Sequence, residues 1–81
     1  PSQSDRVVKL AAAAEAKRAA ASALATLPPE SRALLLQRHG LDLKLAELAE
    51  SWGVSERTIR NRLRAAIQEL TQALLRAGGA Q

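Results

Sequence analysis

Between Leu45 and Arg64 the chain reads LAELAESWGVSERTIRNRLR, two stretches of helical periodicity separated by a single glycine. That spacing leaves room for a tight turn and nothing longer, so two helices must cross at close range. Ala49 is small enough to let the second helix pass over the first. Gly53 can take the positive φ that a sharp turn requires, a conformation costly for residues with a Cβ. Val54, Ile59 and Leu63 are spaced to fill the gap between the crossing helices. Each residue alone is a weak signal, but the set at this spacing specifies a helix-turn-helix.

The rest of the chain must supply a core around that unit. Hydrophobic residues make up 47% of the 81 residues, yet there is no Phe, Tyr, Met or Cys and a single Trp. Packing therefore falls to Ala, Leu, Val and Ile, and Ala and Leu favour helices over strands. The expected fold is all-α: a four-helix domain containing the helix-turn-helix, with an Ala-rich N-terminal helix. Residues 5–25 carry no Gly or Pro and predict a long first helix, with Ser4 and Asp5 as possible caps. Val7, Leu10, Ala14, Ala21 and Leu24 form one stripe along it, interrupted by Lys17. Leu27-Pro28-Pro29-Glu30 ends this segment, because Pro28 pushes Leu27 out of the α region and Pro29 suits a new first turn. The second helix carries Leu34, Leu35 and Leu36 and is expected to stop at Gly40 as a left-handed cap. Asp42 is the expected cap of the third helix, which buries Leu45, Leu48 and Ala49 and ends at Gly53. Ser55 caps a fourth helix from Glu56 to about Arg76. The organisation is then an N-terminal helix over 1–26, the helix-turn-helix domain over 27–76 and a flexible tail over 77–81.

Several functional classes are excluded by what is missing. Without Cys there are no disulfides and no thiolate metal ligands. His39, directly before Gly40, reads as a helix-end residue favoured by the dipole. Glu47 and Glu50 read as a solvated pair. Neither a catalytic group nor a metal or cofactor site is expected. No apolar run approaches the roughly 20 residues of a membrane span, and no signal peptide is visible, so a cytoplasmic location without membrane contact is expected. The formal net charge of +4 leans the surface towards anionic partners.

The fourth helix divides by angle at about 100° per residue. Ile59, Leu63, Ala66, Ile67, Leu70 and Leu74 fall on one side, the expected core. Arg57, Asn61, Arg64 and Gln68 fall opposite, with Thr58 and Ala65 beside them and Arg60 and Arg62 on the flanks. A helix lying in a DNA major groove needs this arrangement, since Arg can pair with guanine and Asn or Gln with adenine. Arg57, Asn61, Arg64 and Thr58 are the expected base contacts. Ser55, Arg60, Arg62 and Gln68 are the expected phosphate contacts, with Ser55 and Thr58 near the positive helix N-terminus.

With LPPESRALLLQRHGLDLKLAELAE and GVSERTIRNRLRAAIQEL, residues 27–76 resemble region four of bacterial sigma factors, especially the extracytoplasmic-function type. The distance from Leu27 to Ala49 has the sigma length, whereas response-regulator effector domains are one residue shorter there. The resemblance implies packed helices whose last helix reads the promoter −35 element. Three features depart from the family. The part that melts and reads the −10 element is lacking, Lys44 stands where a Ser or Thr cap is common, and Trp52 replaces a usual Leu and is expected to be buried. The expected function is a sequence-specific DNA-binding transcriptional regulator. The alternatives are an excised promoter-binding domain of a sigma factor and a module that binds RNA polymerase or an anti-sigma protein. The expected partners are double-stranded DNA and RNA polymerase. A homodimer formed through the first-helix stripe is expected ahead of packing of that stripe against Leu34–Leu36 and the end of the fourth helix.

Overall fold

The computed structural model describes residues 2–79, with side chains from Ser4 to Ala77. Four α-helices follow one another: α1 Ser2–Ala25, α2 Pro29–Leu35, α3 Leu45–Trp52 and α4 Glu56–Gly79, with a π-helical turn at Leu36–Gly40 between α2 and α3. No strand occurs among the described residues. The fourth helix packs against each of the other three, so it is the spine of the domain. It continues to Gly79, beyond the end expected at Arg76. Ala80 and Gln81, within the expected tail, lie outside the described residues.

Local chemistry accounts for the boundaries. The hydroxyl of Thr26 donates to the Ala23 carbonyl at 2.7 Å and closes the last turn of α1. Pro28 holds φ −54 and ψ 146, the extended setting that a following proline imposes, and Pro29 opens α2. The exit from α2 differs from expectation. Its end widens into the π turn, closed by the Leu41 N–H to the Leu36 carbonyl at 3.0 Å. The left-handed residue there is Asp42, at φ 57, and not Gly40. Asp tolerates this region better than most residues, and the Arg38 guanidinium fixes the bend by donating from Nη1 to the Leu43 carbonyl at 2.6 Å. Asp42 is therefore not the cap of α3. Lys44 takes the cap position, and its backbone N–H is satisfied by Glu47 Oε1 at 2.8 Å. That is one half of a capping box.

The core consists of aliphatic side chains and alanines. Leu34, Leu48 and Ile59 are its most buried large residues, with Leu27, Leu35, Ala49, Leu63 and Ala66 around them. Trp52 is half-buried and packs against this core, with Nε1–H donated to Gln37 Oε1 at 2.9 Å. Two positions expected on the core side of α4 are outside, Ile67 at 46% and Leu74 at 37% exposed, and Leu36 is 49% exposed. Each lies on a helix flank that no neighbouring element covers.

The first helix also docks differently from its sequence stripe. Ala23 and Leu27 are buried, Leu24 is partly so, and Ala73 of α4 completes this second contact region. Residues 4–19 are exposed along their whole circumference, including Val7 and Leu10. The stripe expected either to pair or to fold back is therefore open over Val7, Leu10, Ala14 and Ala21. The first part of α1 projects as an arm, which accounts for overall extents of 51 × 29 × 16 Å.

Candidate nucleic-acid interface

The helix-turn-helix forms as its sequence requires. Gly53 sits at φ 67 and ψ 33. The Gly53 N–H reaches the Glu50 carbonyl at 3.3 Å, and the Val54 N–H reaches the Ala49 carbonyl at 3.0 Å. These two bonds are a Schellman closure of α3, with Val54 folded back towards Ala49. Ser55 then caps α4: its Oγ accepts the Thr58 N–H at 3.1 Å and donates to Thr58 Oγ1 at 3.0 Å. Leu48 and Ile59, both 0% exposed, lock the two helices together.

Burial along α4 defines the outward face. Ile59, Leu63, Ala66 and Ala73 point inward, with Leu70 half-buried in the same line. Arg57, Asn61, Arg64 and Gln68 are exposed, and at about 100° per residue they project from the opposite side. Both guanidiniums and both amides therefore stand on one convex ridge. Thr58 is set to one side of it and half-buried, and its hydroxyl and N–H are engaged with Ser55. These two residues fix the start of the ridge.

The two flanking arginines have different settings. Arg60 has Glu56 as a partner one turn earlier, at 3.8 Å with both side chains about half exposed. It borders a groove of about 410 Å³ shared with Arg64, Gln68 and, from the π turn, Arg38 and His39. Arg62 lies on the other flank and pairs with Glu30 at the start of α2 at 3.4 Å. Beside that pair, the Ser31 hydroxyl donates to Glu69 Oε1 at 2.9 Å. Together these contacts tie α2 to α4. Sequence alone does not connect Arg38 or the helix-end His39 with α4, because their nearness to Arg60 and Arg64 depends on the π turn. No group of three His, Asp or Glu side chains that could hold a metal is found among the described residues. No helix among them is long and apolar enough to cross a membrane.

The family described as Sigma-70, region 4 matches residues 17–70. The match begins inside α1, ahead of the Leu27 start suggested by the sequence, and ends in α4 before Ala73. It therefore covers the docked end of α1 and the whole helix-turn-helix, and leaves out most of the projecting arm. No curated protein matches the chain.

Proposed function

The chain belongs to the sigma-70 region 4 family of promoter-recognition, DNA-binding domains, and from that premise we propose that it is a transcriptional regulator that reads the DNA major groove with α4. The observation that carries this reading is the ridge of Arg57, Asn61, Arg64 and Gln68 opposite the buried line of α4. Arg57, Asn61 and Arg64 read base edges, with Thr58 at the margin of that contact. Gln68 and Arg60 hold phosphates, and Ser55 sets the helix N-terminus towards the backbone. Arg62 pairs with Glu30 and Arg60 with Glu56, so each loosens a surface ion pair to reach a phosphate. The protein works in the cytoplasm, needs no cofactor and performs no catalysis. Within a longer sigma polypeptide the same ridge serves the −35 element while RNA polymerase carries it. DNA binding by this chain without polymerase favours the free regulator.

Anisotropy titrations with a duplex selected from a random pool test the ridge. Arg57→Ala and Arg64→Ala each weaken the selected site by about 1–3 kcal/mol and relax preference at one base position. Arg60→Ala weakens all sequences alike and lowers the salt slope by about 1. Unchanged affinity in the Arg57 and Arg64 variants removes the groove assignment.

The regulator pairs through the open arm, where Val7, Leu10 and Ala14 lie in line and uncovered. Arg6, Lys9, Lys17 and Arg18 outnumber Asp5 and Glu15 along the arm, with Arg18 paired to Glu15 at 3.6 Å, so two net-positive arms repel each other and associate more strongly as salt rises. DNA binding responds to salt in the opposite sense. Sedimentation of Leu10→Asp beside the parent chain checks the pairing without touching the core.

A further inference from the structure

We propose that the groove between the π turn and α4 is a seat for the sugar-phosphate backbone of the DNA strand bordering the reading ridge. The inference rests on the reading of α4 as the major-groove helix and adds a second element of the chain to the contact. Arg38 and His39 come from the π turn, and Arg60 and Arg64 from α4; the groove lining itself holds no carboxylate, and Glu56 meets Arg60 at 3.8 Å from one turn back on α4. Three of these four side chains are guanidiniums, charged at any working pH. Three guanidiniums against the single carboxylate of Glu56 leave the rim net basic, which fits a polyanion.

The floor distinguishes a backbone from a free anion. It consists of Leu45, Leu63 and Ile67, and Ile67 is 46% exposed there on the uncovered flank of α4. Deoxyribose offers carbon surface between successive phosphates, and an apolar floor under a cationic rim complements both parts of that repeat. The groove is continuous with the ridge, because Arg64 and Gln68 belong to both. A strand followed outward from the bases thus meets it directly.

Arg38 is already positioned for this role. One of its five donors is used on the Leu43 carbonyl at 2.6 Å, which holds the guanidinium against the turn. A side chain ordered in this way loses less entropy on contact than a free surface arginine. The π turn therefore does more than connect α2 to α3: it presents a fixed cation to the strand.

The full chain is titrated with its selected duplex and with a random duplex across a range of salt. Arg38→Gln removes the charge but keeps a polar side chain; it is expected to weaken both duplexes by a similar factor, roughly three- to tenfold, and to lower the salt slope by about 1. Ile67→Asp, at an exposed position, weakens both duplexes as well, and Ile67→Leu does not. Replacing single phosphates by neutral methylphosphonates identifies one position whose loss costs the parent chain affinity but costs Arg38→Gln nothing further. The proposal is overturned if Arg38→Gln and Ile67→Asp leave affinity and salt slope unchanged while Arg57→Ala and Arg64→Ala reduce binding, which is also what a groove reserved for an acidic peptide would show. If the Arg57 and Arg64 variants have no effect either, the reading of α4 itself fails.

Discussion

Two glycines that look alike in sequence are expected to respond oppositely to alanine. At Gly53, φ is +67 and a Cβ would meet nothing within 4 Å, so the whole cost of Gly53→Ala lies in the backbone. The left-handed region costs an L-residue roughly 1–2 kcal/mol. Against this stands the reduced freedom of the unfolded chain, which stabilises Gly→Ala variants by roughly 0.4–1 kcal/mol. The net expectation is a loss of up to about 1.6 kcal/mol, centred near ~0.8 kcal/mol, at about 4–8 °C of Tm per kcal/mol for a domain of this size. Gly40 also has open space around its Cβ position but lies in the π turn without a positive φ. Gly40→Ala then keeps only the unfolded-state term and gains about 0.4–1 kcal/mol. Urea denaturation followed by Trp52 fluorescence and far-UV dichroism measures both, with m expected to be unchanged. A Gly53→Ala variant as stable as the Gly40→Ala variant refutes the assignment of the left-handed positions, because the unfolded-state term cancels between them and a gap of about 1–2 kcal/mol should remain.

Two other substitutions probe the frame that holds the ridge. Leu48→Ala removes a fully buried side chain at the helix crossing and is expected to cost about 2–5 kcal/mol, read from the same urea curves; a cost below 1 kcal/mol contradicts its place in the core. Ser55→Ala removes the hydroxyl that accepts the Thr58 N–H and is expected to cost about 1 kcal/mol of stability, with faster amide exchange confined to the first turn of α4. Equal protection in that turn before and after the change contradicts the cap.

The parts of the fold legible in sequence are those set by near neighbours. Gly53, Val54 and Ser55 specify the turn through their own conformational preferences, and the period of Ile59, Leu63, Ala66 and Leu70 orients α4 by itself. Legibility failed where distant groups decide. Gly40 and Asp42 are both acceptable in the left-handed region, and the choice between them follows the bond from Arg38 to the Leu43 carbonyl. Arg60 and Arg62 look alike in sequence, and only the fold distinguishes their partners, Glu56 one turn back for one and Glu30 of α2 for the other. The docked side of α1 was misread because alanine lies on nearly every face of it. Val7 and Leu10 supplied the visible pattern, but Ala23 and Leu27, beside the prolines, make the contact. In the candidate site, Arg57, Asn61, Arg64 and Gln68 could be placed from periodicity alone. Arg38 and His39 could not, since only the π turn brings them near.

The uninterrupted run of α4 from the crossing at Ile59 to the α1 dock at Ala73 has a consequence for insertions and deletions. At about 1.5 Å per residue the two points stand about 21 Å apart on one rod, and their angular phase is set by the number of residues between them. One residue inserted between Glu69 and Ala73 would turn the α1 dock by about 100° around the rod and point the arm in a new direction, leaving the reader unchanged. Seven inserted residues would bring the dock back to within about 20° of its original bearing, displaced along the axis by about two turns. The helix thus works as a goniometer, with the bearing of the dock restored at whole heptads.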